Sequence, residues 1–183
     1  ISIGYGGHEK GLVFATVSFS PDGSKLVYSD EKNRLFILEI NSGQKTALGD
    51  GFTPIWSPDG GQIAFLRQTD KGMNVFVMNA NGQDPRALTD TTSNPTLSGW
   101  MENGKKLLVT NGHEIQSIDT ANAVVETLFK TQVESYSNVS ISPDNTWLAY
   151  IDKVIGRMAP GIYLIHPDGT EKHLIVQLDH WMV

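Results

Sequence analysis

The sequence predicts an all-β protein, a β-propeller built from four four-stranded antiparallel blades that can be part of a larger propeller. Three observations carry that expectation. A turn phrase recurs along the chain, Phe19-Ser20-Pro21-Asp22-Gly23, Trp56-Ser57-Pro58-Asp59-Gly60 and Ile141-Ser142-Pro143-Asp144-Asn145, with a degenerate copy at Trp100-Met101-Glu102-Asn103-Gly104. A second column, Leu48, Leu88, Leu128 and Leu174, keeps step with it. Both columns give a period of about 40 residues, the length of a four-stranded blade. The apolar runs are short, and several are continuous, such as Leu35-Phe36-Ile37-Leu38. Continuous apolarity means a strand covered on both faces, and no helical period competes with it.

The second copy shows how each element is read. Thr53 to Trp56 forms a first strand that ends at Ser-Pro-Asp-Gly, where Pro presets φ and Asp caps backbone N–H groups. Gln62–Leu66 is the second strand and Gln68–Gly72 a polar joining loop. Asn74–Met78 is the third strand, Asn81-Gly82 a hairpin whose two residues both accept positive φ, and Arg86–Leu88 the outer strand. The other copies supply second strands at Lys25–Ser29, Lys106–Thr110 and Trp147–Ile151, and third strands at Arg34–Ile40, Glu114–Ile118 and Gly161–Ile165. The organisation is a segment at 1–14 and repeats at about 15–50, 51–90, 91–131 and 132–177. A Greek-key sandwich also has closely spaced strands, but its turn sequence does not return every fourth strand. Phe19, Trp56, Trp100 and Ile141 share one column and are expected in the core between blades.

Composition narrows the function classes. The 183 residues carry a net charge of -6, which disfavours a phosphate backbone as partner, so no nucleic acid is expected. There is no Cys, hence no disulfide, thiolate metal site or cysteine nucleophile. No apolar run is long enough to span a bilayer as a helix. The chain begins at Ile1 without Met and ends on apolar Trp181-Met182-Val183, the pattern expected of a fragment or a processed product.

Chemical motifs are nearly absent. Gly99 to Lys106 approaches a phosphate-binding loop, but Lys106 replaces the metal-binding hydroxyl and no helix follows. There is no nucleophile elbow, and His113-Glu114 lacks a second histidine at metal-ligand spacing. His8, His113, His166, His173 and His180 fall at unrelated repeat positions. No catalytic residue, cofactor or metal is therefore expected.

The phrase Trp56-Ser57-Pro58-Asp59-Gly60-Gly61-Gln62-Ile63-Ala64-Phe65, continued to Arg86-Ala87-Leu88-Thr89, resembles the TolB-like (WD40-like) propeller repeat over roughly residues 14–177. The third copy departs by lacking Ser-Pro-Asp and the fourth by Asn145, and no copy has the Trp-Asp pair of a WD repeat. The resemblance implies a non-catalytic scaffold that binds a protein or peptide, in the bacterial periplasm or outside the cell. Two alternatives are the propeller portion of a prolyl-oligopeptidase-like hydrolase and an oligogalacturonate-lyase-like enzyme with a metal in the propeller.

In such folds the loops entering each first strand, and those joining second to third strands, converge at one end. Here these are Gly49–Phe52, Asp90–Asn94 and Glu134–Tyr136, with Asp30–Asn33, Gln68–Gly72, Asn111–His113 and the long Asp152–Pro160. Phe52, Asp70, Asp90, Tyr136, Arg157 and Met158 are the expected partner-binding residues on those loops. The resemblance implies a propeller of six or more blades, and an arc of four leaves apolar faces open, so either further blades or self-association is expected.

Overall fold

The computed structural model describes residues 16–132, 139–153 and 160–178. Among the described residues sixteen strands form four antiparallel sheets, each paired in chain order. Blade 1 holds β1 (Val17–Phe19), β2 (Lys25–Ser29), β3 (Arg34–Glu39) and β4 (Lys45–Asp50). Blade 2 holds β5 (Phe52–Trp56), β6 (Gln62–Thr69), β7 (Gly72–Asn79) and β8 (Arg86–Ala87). Blade 3 holds β9 (Thr96–Met101), β10 (Lys106–Asn111), β11 (Glu114–Asp119) and β12 (Val125–Lys130). Blade 4 holds β13 (Ser140–Ile141), β14 (Leu148–Lys153), β15 (Pro160–Ile165) and β16 (His173–Gln177). Among the described residues the only helix is a short 3-10 turn, Glu102–Gly104, and none is long and apolar enough to cross a membrane. The chain forms two compact units, Ile1–Thr92 with blades 1 and 2, and Ser93–Val183 with blades 3 and 4.

The Ser-Pro-Asp turn is a self-contained hydrogen-bond device. In blade 1 the Ser20 hydroxyl donates to Asp22 Oδ1 at 2.6 Å, Asp22 Oδ1 accepts from Ser24 N at 3.0 Å, and Lys25 N donates to Ser20 Oγ at 2.9 Å. Ser57 with Asp59, and Ser142 with Asp144, repeat it. The next residue must take a left-handed φ: Gly23 has +70°, Gly60 +74° and Asn145 +60°. Asn is among the few residues that tolerate that region, which explains the substitution in the fourth copy. In the degenerate third copy Gly104 keeps the left-handed conformation at +91°, the two residues before it, Glu102 and Asn103, also adopt positive φ, and Glu102 N donates to Asn145 Oδ1 at 3.0 Å.

These turns set an acid limit on stability. Hydrogen bonds from Ser20 and Ser24 hold Asp22 at about 2, and those from Ser142 and Thr146 hold Asp144 at about 2, against a usual 3.8. A carboxylate depressed in the folded state stabilises the fold above its unfolded value and loses that contribution as pH falls through the folded one. Thermal midpoints are therefore expected to drop between about pH 4 and pH 2. The Asp22→Asn, Asp144→Asn double variant should melt lower at neutral pH but show a shallower acid slope. An unchanged slope would remove the turns from the acid response.

Within each unit, one joint between blades forms the core. Blade 1 turns Val27, Ser29, Leu35 and Ile37 toward blade 2, all 0–6% exposed. Blade 2 answers with Trp56, Ile63, Phe65 and Met78 in one cluster, and Phe76 packs at its edge. In the second unit Leu108 and Ile115 of blade 3 cluster with Leu148, Tyr150, Tyr163 and Ile165 of blade 4. The trailing face of one blade, small and aliphatic, thus meets an aromatic leading face on the next. The aromatic pairs are direct cross-strand partners, Phe65 with Phe76 at 5.6 Å and Tyr150 with Tyr163 at 5.9 Å between ring centroids.

Three local expectations change. Strands β6 and β7 extend through Gln68, Thr69 and Gly72, so the joining loop shrinks to Asp70-Lys71. In the Asn81-Gly82 hairpin only Gly82, at +85°, is left-handed. Trp56 and Trp100 are buried at 8%, but Phe19 of the same column is 63% exposed.

Candidate functional site

In the first unit the predicted loops gather at the end opposite the Ser-Pro-Asp turns. Asp50 pairs with Arg34 across β3 and β4, and Gly51 N donates to Asn33 O at 2.7 Å, so the segment entering blade 2 lies against the joining loop of blade 1. Asp30 caps that loop, accepting from Lys32 N and Arg34 N and from the Arg34 guanidinium at 2.6 Å. The Arg34 hydrogen bond holds its carboxyl below the usual aspartate value. Arg67, at the end of β6, donates from Nε to Asp50 O at 2.8 Å and lies over the rings of Phe65 and Phe76 at 5.0 and 4.8 Å.

Blade 2 ties its own two loops together through Asn74, which is 1% exposed. Its Nδ2 donates to Thr69 Oγ1 at 3.0 Å, and its Oδ1 accepts from Thr91 N at 2.8 Å and from the Thr89 hydroxyl at 2.9 Å. Lys71 reaches over to Asp90 at 2.5 Å, both solvent-exposed. Of the expected partner-binding residues, Phe52 is half-buried at the start of β5, while Asp70 and Asp90 are exposed. All three sit at this end, with Asp90 engaged by Lys71. Tyr136, Arg157 and Met158 lie outside the described residues.

Beside Phe52 stands a strained residue. Thr53 has φ +47°, although it is β-branched and precedes Pro54, and its buried hydroxyl has no hydrogen-bond partner. Nothing in the residue pattern marks it. No residue pattern marks Arg67 or Asn74 either, because a cation or amide inside a strand reads as ordinary edge polarity, and Lys71 reads as one more polar loop residue.

In the second unit Asp152, at the same end of its blade, is fully buried. It accepts from Gln132 N at 2.8 Å and pairs with Lys172 at 3.0 Å. Lys172 lies over Tyr163 at 4.2 Å and Tyr150 at 5.5 Å. Burial opposes its charge, but the Asp152 hydrogen bond leaves the ammonium raised above the usual lysine value.

Two other places could hold chemistry. A cleft of ≈ 460 Å³ between blades 1 and 2 opens at the Ser-Pro-Asp end, lined by Asp22, Lys25, Trp56, Asp59 and Asn81. Its carboxylates already serve the turns. His166 stacks on Trp147 at 4.0 Å with Nδ1 at 2.7 Å from Thr146 O, and His173 tilts against the same ring. Among the described residues no group of three His, Asp or Glu is placed to hold a metal ion.

Comparison with known proteins places this geometry. The model of the TolB beta propeller domain matches residues 8–180. Over 138 residues the chain is 28% identical to the uncharacterized peptidase YuxL of Bacillus subtilis, covering 67% of this chain and 20% of that protein. Over 106 residues it is 29% identical to dipeptidyl-peptidase 5 of Porphyromonas endodontalis, covering 51% and 15%. The crystal structure of TolB from Acinetobacter baumannii superposes with a TM-score of 0.70 at 17% identity, over 90% of this chain and 44% of that one. The chain thus spans a fifth or less of the two peptidases and under half of that TolB.

Proposed function

Because the chain belongs to the TolB β-propeller domain family, we propose that it is a non-catalytic propeller scaffold that binds a protein or peptide partner, in an extracytoplasmic bacterial compartment. The observation that supports this reading is the gathering of Phe52, Asp70 and Asp90 on loops whose backbones are fixed by Asp30, Asn74 and Arg67. Rigid loops carrying one half-buried aromatic and exposed acids suit recognition of an extended, basic-to-neutral peptide. Peptides selected from a displayed library against the 183-residue chain test it. Phe52→Ala and Asp70→Ala are each expected to weaken binding by roughly five- to thirty-fold in calorimetry. Unchanged affinity in both variants, or enzyme-like turnover of a substrate by the purified chain, would sink the proposal.

A second reading is favoured by one specific observation: both curated relatives are peptidases that the chain matches only in part. On that reading the propeller belongs to a larger hydrolase and the same loops face its catalytic domain. The complete coding sequence separates the two, since a domain carrying a nucleophile elbow beside the propeller selects the second.

A further inference from the structure

The first strand of blade 2 carries an extra residue, and the way it is accommodated sets where Phe52 sits. Ile55 pairs with Ala64, so an unbroken ladder would bring Phe52 opposite Arg67. Phe52 instead pairs with Leu66. The register shifts through a β-bulge at Thr53-Pro54, and a shift of one residue moves a side chain to the other face of its sheet. Phe52 thereby leaves the face of Phe65, where Phe65 Cδ2 and Leu35 Cδ1 already crowd Gly51, and joins the face of Leu66.

A bulge at this place does not itself demand strain. In β9 of blade 3, Leu108 pairs with Gly99 but Val109 with Leu97, so Ser98 is the extra residue. Leu97, Ser98 and Gly99 all keep negative or extended φ. Thr53 does not. It is β-branched at φ +47°, a proline follows it, and its hydroxyl is buried without a partner, three separate costs on one residue. Strain of this kind persists only where the surroundings hold it. Here both flanks are held. On one side Gly51 N donates to Asn33 O at 2.7 Å, and Asp50 O accepts from Arg67 Nε at 2.8 Å. On the other, Trp56 N donates to Ser18 Oγ of β1 at 3.1 Å, and Trp56 is buried.

We infer that Thr53 is the positioning residue for Phe52, a role that rests on the reading of these loops as a partner-binding surface. A β-branched residue between two anchors has few conformations to visit, so Phe52 is held ready and a partner need not order it. Glycine would suit the left-handed geometry better, but it would also admit many other conformations. Thr53 thus gives up fold stability in exchange for a fixed Phe52.

Three measurements on the 183-residue chain test the role: thermal melts, amide order parameters of the free chain, and calorimetry with a peptide selected on the wild type from the displayed library. Thr53→Gly should melt at or above the wild-type temperature, yet bind the peptide about five- to twentyfold more weakly, with the loss in the entropy of binding. In the free variant the Phe52 amide should loosen from the ~0.85 of rigid backbone toward ~0.6. Thr53→Asn, which tolerates the left-handed region but keeps a side chain, should hold its affinity within about twofold of wild type. Wild-type affinity in Thr53→Gly, an unchanged Phe52 order parameter, or a melting temperature below that of wild type would overturn the role. Full affinity in Phe52→Ala, or a library that yields no peptide, overturns the binding reading instead. The Phe52 order parameter then still decides whether Thr53 fixes that residue.

Discussion

Phe65→Ala is expected to destabilise the first unit by about 3–5 kcal/mol, the usual range for removing a buried phenylalanine. Phe65 is fully buried in the cluster shared by blades 1 and 2, and it is the cross-strand partner of Phe76. Its loss leaves a cavity between two sheets whose backbones are pinned by ladder hydrogen bonds, so little collapse can fill it. It also removes one of the two rings under the Arg67 guanidinium. Urea unfolding followed by hydrogen exchange at β6 and β7 amides reads the effect. Protection in β10 and β11 should change little, since those strands have their own cluster. A loss below about 1.5 kcal/mol would mean that the joint relaxes far more than its packing suggests.

Gly51→Ala is expected to cost about 2–4 kcal/mol, from overpacking together with backbone strain. Gly51 has φ +154°, and a Cβ there would stand 2.6 Å from Phe65 Cδ2, 2.8 Å from Leu35 Cδ1 and 3.1 Å from Leu66 O. Both side chains are fully buried and have no space to yield. Gly43→Ala supplies the control: φ is +69°, but nothing lies within 4 Å of the added methyl. It should cost only the left-handed penalty of about 1 kcal/mol. Paired thermal melts decide the matter, and equal losses at the two sites would show that conformation rather than crowding sets the cost.

The contrast between these glycines shows where sequence reading stops. Strand positions follow from the repeat, because Ser-Pro-Asp-Gly fixes where each first strand ends and the apolar runs fix the next two. Gly23 and Gly60 are legible as turn glycines. Gly51 is not, since its neighbours arrive from β2–β3 and β6 through packing rather than chain order. The packing of the joints is out of reach as well: Phe65 and Tyr150 line up in sequence, but which face they occupy depends on register. The column containing Phe19 reads as uniformly core, and only the fold separates Phe19 from Trp56. At the candidate site the loops were legible and their internal fastening was not. Asn74 and Asp152 look like ordinary polar strand residues until the fold buries them against backbone groups of the entering segments.

One feature of the topology bears on how the chain reaches this structure. Among the described residues each strand pairs with its neighbours in sequence, β1 to β4 in one sheet and so on through β16. The loops to be closed are short, so the entropy spent before a blade gains its hydrogen bonds is small, unlike in Greek-key sheets that must first join distant strands. Each blade can assemble its ladder locally and as a ribosome delivers it, and the burial of aromatic faces then comes as a later collision between preformed sheets.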